Sequence, residues 1–320
     1  MKYLNLGNKG PKVSTMGFGA WAIGGMNWGK TDDEVSIRAL NEAIDQGVTF
    51  IDTADVYGFG HSEELISKVI KEGGKENIVI ATKAGNDFYN ASSDDDEGYG
   101  AIKQTYTKKY LISAAEKSLK RLNLDTLDIL QLHSPDLEKL ERDEPWLALE
   151  QLKKDGKIKH AGLSIQSFKE TEQAHLLDQH YDILDCIQVR YNLLERQAEE
   201  LLFPKAMEYG IGVIVRIPLL FGFLTGKFDS KSTFTEDDHR NMNLSPEKLK
   251  TYLEGLKEVQ ALFDYYSDQS KTQVSLRFCI SHPACHTAIP GAKTKEQVAE
   301  NCSASDLGPI PQDILDSMLK

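Results

Sequence analysis

Short runs rich in β-branched residues alternate along the chain with longer stretches whose apolar positions fall three and four apart. The first pattern fits strands buried on both faces, the second amphipathic helices. The strand-like runs are MGFGAW, VTFIDTA, NIVIATKAG, LDILQLHS, IKHAGLSI, DILDCIQVR, IGVIVRIP and HTAIP. Between them TDDEVSIRALNEAIDQG, HSEELISKVIKEG, KKYLISAAEKSLKRLN, PWLALEQLKKDGK and AEELLFPKAMEYG carry helical spacing. Several open on Thr, Ser or Asp and close near Gly, as helix ends require. Eight such units predict an α/β fold in which a parallel sheet closes into a (β/α)8 TIM barrel. An open doubly wound sheet uses the same alternation and is the rival architecture. The opening KYLNLGNKGPKVS predicts a β-hairpin around Gly7, Asn8, Lys9 and Gly10, placed to close the barrel bottom. No Pro- or Ser-rich linker divides the chain, so residues 1–320 read as one domain.

Three connections are longer than a barrel needs: residues 86–106, residues 228–245 and the tail from Leu307. The first holds Asp94, Asp95, Asp96 and Glu97, an acid run expected in a solvated loop. Both internal loops come after strands and should hang over the end where barrels build active sites. The pocket's shape is expected to depend on these loops and on the tail.

Composition narrows the function. With 40% hydrophobic and 27% charged residues the chain is ordinary for a globular protein. A net charge of -12 argues against a nucleic-acid partner, which needs a basic face. MKYLNLGNKGPKV lacks the apolar core of a signal peptide, and no run is long enough to span a membrane. Four cysteines are too few for a disulfide framework, so the expected setting is the cytoplasm. No exposed apolar stripe stands out, which fits a monomer or weak homo-oligomer. CISHPACH brings Cys279, His282, Cys285 and His286 together, but at the spacing of no common zinc finger, and no metal site is expected.

The chemistry sits at the strand ends. In a barrel, polar residues at the carboxyl ends of strands converge on one face. These are Asp52 with Tyr57 after the second strand, Lys83 on the third, His133 on the fourth, Ser164, Gln188 and Arg216 on the next three. A packed interior tolerates such groups only when they are paired. A Tyr hydroxyl, with an ordinary pKa near 10, needs help to act as an acid at neutral pH. A nearby ammonium lowers that pKa, and a carboxylate keeps the ammonium charged and in place. On this reading Asp52 holds Lys83, Lys83 tunes Tyr57, and His133 orients the substrate oxygen. The set suits protonation of an oxygen that becomes an alkoxide as something adds to its carbonyl carbon.

From GFGAW to PGAKTKEQVAEN the chain resembles the aldo-keto reductases, whose Asp, Tyr, Lys and His tetrad falls on DTADVY, ATK and LQLH as Asp52, Tyr57, Lys83 and His133. The resemblance implies NAD(P)H-dependent reduction of small aldehydes or ketones, with Tyr57 as general acid. It places Gly19, Ala20 and Trp21 beside the nicotinamide, with Trp21, Tyr57 and His133 around the substrate, and Ser164 and Gln188 on the carboxamide. PLLFGFLTGK would wrap the pyrophosphate, through Pro218, Leu219, Gly222, Leu224, Gly226 and Lys227. PGAKTKEQVAEN would hold the adenosine end through Gly291, Lys293, Gln297, Glu300 and Asn301, with Lys293 near the 2′-phosphate. Lys293 and Lys295 favour NADPH, with NADH possible. The chain departs from the family's better-known pattern in three places: Ile165 where many relatives have Asn, Arg216 in place of an aromatic, and Gln297 in place of Arg. A guanidinium can stack flat on the nicotinamide or reach a phosphate.

Two other functions use parts of the same pattern. An NADP(H)-sensing regulatory barrel with little turnover would keep the tetrad, as channel-associated members of the family do. A metal-dependent barrel hydrolase would need ligands on several strands, and GFGAW offers none. GFGAWA also fits a dinucleotide fingerprint, but GGMNWG does not open a helix. Trp28, Arg190 and Tyr191 carry no assigned role, and Asp55 reads as a turn residue.

Overall fold

The computed structural model describes residues 1–25, 28, 31–73, 77–89 and 102–319, so Asp94, Asp95, Asp96 and Glu97 lie outside the described residues. Strands β1 (Tyr3–Asn5) and β2 (Lys12–Ser14) pair antiparallel as the expected hairpin. Next come β3 (Phe18–Gly19), β4 (Phe50–Asp52) and β5 (Val79–Ala84). A short antiparallel ribbon, β6 (Asn86–Asp87) with β7 (Lys103–Gln104), interrupts the series. Strands β8 (Leu127–His133), β9 (Ile158–Ser164), β10 (Cys186–Arg190), β11 (Gly212–Arg216) and β12 (Thr287–Ala288) complete it.

The eight-stranded sheet runs β3-β4-β5-β8-β9-β10-β11-β12 in parallel order. It also closes on itself. Ala288 N–H donates to the Thr15 carbonyl at 3.0 Å, and Gly17 N–H donates to the Ala288 carbonyl at 2.8 Å. All eight expected strands are present, in a barrel and not in an open sheet.

Alternate residues along each strand face opposite sides. Ile51, Ile80, Leu130, Leu132, Leu163, Ile187, Val189, Val213 and Val215 point outward into one large core shared with the helices. The residues between them point inward. At the lower level these are Phe50, Ala81, Ile129, Cys186 and Ile214, which form a separate apolar cluster with Leu6, Val13 and Ile289. Leu6 and Val13 come from the hairpin, so it does plug the barrel bottom. Its fit depends on Gly7, at φ +68°, where a Cβ would stand 2.4 Å from the Gly212 nitrogen.

The five expected helices form, among them Asp33–Asp45, capped by the Asp32 side chain, and Lys108–Leu122, capped by Thr107. Others flank the eighth strand: Pro246–Glu258, Lys271–Cys279 with a Ser270/Gln273 capping box, and Lys295–Leu307. No helix among the described residues is long and apolar enough to cross a membrane.

The tail departs from expectation. Lys295–Leu307 runs back down the outside of the barrel, so the tail beyond Leu307 starts at the bottom. There Lys2 N–H donates to Ser305 Oγ at 2.8 Å, and Arg277 holds the Gly308 carbonyl at 2.7 Å. The final helix Gln312–Met318 therefore lies away from the pocket and does not shape it. Both internal loops do reach the pocket, through Asn86 from one and Phe228, Arg240 and Asn243 from the other.

Candidate active site

Above the apolar floor the inward-facing positions turn polar. Asp52, Lys83, Gln131 and Gln188 each stand two residues beyond a floor residue, on four strands, so the pleat aims them at one another. Lys83 Nζ donates to Asp52 Oδ1 at 2.7 Å, to the Thr53 carbonyl at 2.7 Å, and to the Tyr57 hydroxyl at 3.4 Å. Asp52 Oδ2 accepts from Gln188 Nε2 at 2.6 Å and from Gln131 Nε2 at 3.3 Å. Every proton of the ammonium and both carboxylate oxygens are thus engaged in a region closed to solvent, which a buried ion pair requires.

Tyr57 leaves β4 through a tight turn and stands over Lys83, edge-on to His133 with ring centroids 5.7 Å apart. Trp21 lies roughly parallel to the phenol at 6.1 Å. Desolvation, then the charges of Lys83 and Arg216, hold His133 well below the ordinary imidazole pKa. The ring is neutral at physiological pH and can donate or accept one hydrogen bond to a substrate oxygen. Burial lowers the Lys83 pKa, an effect Asp52 opposes.

The phenol behaves differently from the expectation that Lys83 lowers its pKa. Burial first, then Asp52, push the Tyr57 pKa far up, and the charge that pulls it down is Arg216. Lys83 is already matched by Asp52, so its contribution is the hydrogen bond. Arg216 donates to the Ile165 carbonyl at 3.0 Å and to Ser167 Oγ at 2.9 Å, while its Nε is buried without a partner among the described residues. Burial and the neighbouring Arg190 bring Arg216 itself down to about 10.

A cavity of 530 Å³ opens over these groups and runs from β3 and β4 across to the helix Lys295–Leu307. It is lined by Gly19, Trp21, Asp52, Tyr57, His133, Ser164, Gln188 and Arg216 at one end. Pro218, Leu219, Gly222 and Lys227 come next, and Gly291, Lys293, Gln297, Glu300 and Asn301 lie at the other end. All of these were expected from the sequence at the catalytic or cofactor site, and they line one cavity. Of the residues expected at the cofactor, Ala20, Leu224 and Gly226 do not line it, and the catalytic candidate Lys83 lies beneath it rather than in its wall. Ala20 and Leu224 are fully buried core side chains, and Gly226 faces Lys271. Lys295 also turns away, toward Glu42 at 3.4 Å.

The cavity suits a dinucleotide. It is continuous, it carries the orphaned Arg216 Nε, and its middle wall is a strained turn with Leu220, Phe221 and Gly222 all at positive φ. Ser164 Oγ meets Ser134 Oγ at 3.1 Å, and Gln188 commits its N–H to Asp52, leaving its carbonyl oxygen for a carboxamide. At the far end Lys293 Nζ donates to the Trp28 carbonyl at 2.8 Å, and the Gln297 side chain accepts from Lys293 N–H at 2.7 Å.

Several residues in and beneath the cavity, among them the buried Gln131 under its floor, were not foreseen. Gln131 and Arg190 sit two residues from His133 and Gln188 on the same faces, so the period of two would have found them. Trp28 and Arg240 meet through long-range packing: Trp28 pairs with Asp238 across two loops, Arg240 lies 5.6 Å from its ring, and His239 packs at 4.3 Å. No local signal marks that contact. Tyr191 is structural, buried against Phe203 and Phe278 with its hydroxyl donating to Glu199 at 2.5 Å. His282 and His286 spend their Nδ1 atoms on backbone N–H groups of Ala284 and Val213. Cys279 and Cys285 are buried thiols.

Asp55 is no exposed turn residue. It is fully buried, and neither carboxyl oxygen has a hydrogen-bonding partner among the described residues. Nearby Glu63 takes the local cation, accepting from Arg121 Nε and Thr82 Oγ1 at 2.6 Å each. Burial, then Glu63, push the Asp55 pKa well above the carboxylate range. An unfolded Asp ionises near pH 3.9, so above that the folded chain binds the extra proton and stability falls as pH rises toward the folded pKa. Asp55→Asn removes this slope. Thermal melts between about pH 5 and pH 9 should show the variant gaining on the parent as pH rises. A difference that stays flat would mean that Asp55 is already ionised in the folded chain.

Comparison with known proteins identifies the family of the whole chain. Residues 15–318 match the Aldo/keto reductase family. The aldo-keto reductase YhdN of Bacillus subtilis is 34% identical over 301 residues, covering 93% of this chain and 87% of that protein. A probable voltage-gated potassium channel subunit beta of Arabidopsis thaliana is 31% identical, with 97% and 93% covered. Among solved structures, an aldo-keto reductase of Bacillus halodurans in its holo form superimposes with a TM-score of 0.80 at 26% identity, covering 100% of this chain and 97% of that one. A glycerol dehydrogenase of Gluconobacter oxydans gives 0.82 at 28%, covering 99% and 93%.

Proposed function

The chain belongs to the aldo/keto reductase family and is an oxidoreductase of the NAD(P)H-dependent carbonyl-reducing kind; from that premise we propose that it reduces small aldehydes or ketones with NADPH, using Tyr57 as the acid. The observation that carries this reading is the contact series Asp52–Lys83–Tyr57 beneath a cavity that also presents His133. When bound, the nicotinamide supplies a hydride to the carbonyl carbon. The chain's own groups handle the oxygen. Neutral His133 hydrogen-bonds it and sets its direction. Tyr57, protonated because its site disfavours phenolate, hands its proton to the forming alkoxide. Lys83 steadies the phenolate left behind, and Asp52 keeps Lys83 charged in a buried site.

Ser164 and the Gln188 carbonyl would hold the carboxamide, with Arg216 flat against the ring. The Pro218–Lys227 segment would wrap the pyrophosphate, and Gly291, Gln297, Glu300 and Asn301 the adenosine. Lys293 gives the adenosine end a cation and favours the 2′-phosphate of NADPH over NADH. The four cysteines are free and buried, which suits a reducing cytoplasm.

The test is loss of NADPH absorbance with a panel of small aldehydes, run in parallel with NADH. Turnover is expected with both cofactors and a lower KM for NADPH; the reverse preference would remove Lys293 from its assigned role. A glycerol dehydrogenase among the structural neighbours argues for including three-carbon hydroxylated carbonyls. The likeness to potassium channel β-subunits supports a second reading, a sensor of NADP(H) with little turnover. Tight NADPH binding with no oxidation across the panel would favour that sensor.

A further inference from the structure

Strand β5 lies between β4 and β8 in the barrel. Tyr57 comes after β4 and His133 ends β8, so the two groups that would grip the carbonyl oxygen stand on either side of β5. Lys83 lies below that gap. The chain then passes Gly85, at φ +141°, where a Cβ would stand 2.3 Å from the Tyr106 ring. This glycine turns the chain outward, and the next residue, Asn86, is the first side chain above the gap.

Asn86 is half-buried and lines the cavity. Its backbone is fixed by pairing with Gln104. Its carboxamide is hydrogen-bonded to no described residue, whereas Gln131 is committed to Asp52 and Ser134 to Ser164. We infer that Asn86 is a specificity-determining residue, hydrogen-bonding a hydroxyl next to the reacting carbonyl of a small, neutral hydroxy-aldehyde or hydroxy-ketone. An amide offers both a donor and an acceptor, which a hydroxyl can match in either sense.

Charge supports the neutral class. Arg190 and Arg240 both line the cavity, but Arg190 is held by Glu195 through two nitrogens and Arg240 by Asp238. Arg216 stands on β11, four strands round the barrel from β5 and on its opposite wall. Lys83, below the gap, is already matched by Asp52, so a substrate carboxylate beside Asn86 would meet no unpaired cation in that part of the described site.

The inference rests on the reductase reading, and the experiment separates the two. Glyceraldehyde and propanal are compared as substrates under NADPH, for the parent, Asn86→Ala and Asn86→Ser. The parent is expected to favour glyceraldehyde, and the ratio of kcat/KM values to fall about tenfold in Asn86→Ala, through a higher KM for glyceraldehyde. Asn86→Ser, which keeps a hydroxyl, should fall less. Parent and both variants turning over the two aldehydes in the same ratio would overturn the role of Asn86 and leave the reductase standing. A parent that binds NADPH but reduces neither aldehyde would overturn the reductase reading and this inference with it.

Discussion

Tyr57→Phe is expected to lower kcat for aldehyde reduction by about 10²–10⁴-fold while NADPH affinity stays within about twofold, because the change removes one hydroxyl at the reacting centre and nothing from the cofactor wall. The phenol is the group placed to meet a substrate oxygen with a proton in hand, and burial pushes its pKa up, not down. That direction suits reduction, where the acid must start protonated. It also predicts how the reverse reaction behaves. Alcohol oxidation needs the phenolate, so its rate should climb with pH well past neutrality while reduction does not. Stopped-flow measurement of NADPH oxidation, with cofactor binding tracked by fluorescence quenching, separates the chemical step from binding. Equal rates in Tyr57→Phe and parent would remove Tyr57 from the reaction and dissolve the site as assigned.

Lys83→Met is expected to cost about 3–5 kcal/mol of stability as well as most of the activity, since it strands the buried Asp52 carboxylate without its cation. Urea denaturation should show a lower midpoint. The loss has two components that a second substitution separates. In Asp52→Asn/Lys83→Met neither charge remains, so much of the stability should return. Activity should not, because the phenolate has lost its ammonium. A double variant no more stable than Lys83→Met alone would mean that the ion pair contributes through packing. Recovery of turnover in the double variant would show that Lys83 serves only as a counterion to Asp52.

The barrel was legible because its strands are buried on both faces, which leaves nearly unbroken β-branched runs, and because its helices alternate at the helical period. The tetrad was legible for a related reason. A lysine after IVIAT or a histidine after LDILQL violates its strand's apolar character, and such violations stand out. The residues that escaped notice obey the same logic in reverse. Gln131 lies inside LDILQLH, where a neutral amide breaks no rule, yet it holds Asp52. Asp55 looked like turn chemistry because Asp favours turns, and only the packing of Glu63, Arg121 and the Lys83 strand shows it sealed in. SPEKLKTYLEGLKE carried a readable signal, with Ser245 capping and Pro246 at the first helical position, and it forms the helix Pro246–Glu258. The tail was misplaced because it was read as a loop free to return over the mouth, whereas the helix after the eighth strand of a parallel barrel ends at the bottom, where Lys2 and Arg277 hold the chain. Trp28 and Arg240 were unreadable, since their contact joins residues more than two hundred apart.

The apolar floor beneath the charged layer governs proton traffic. Leu6, Val13, Phe50, Ile129 and Ile214 fill the barrel below Asp52 and Lys83, so no chain of water reaches them from that side. On the proposed mechanism, a Tyr57 phenolate would regain its proton from above, through the same mouth that admits the substrate. Recharging the acid and clearing the product would then share one opening.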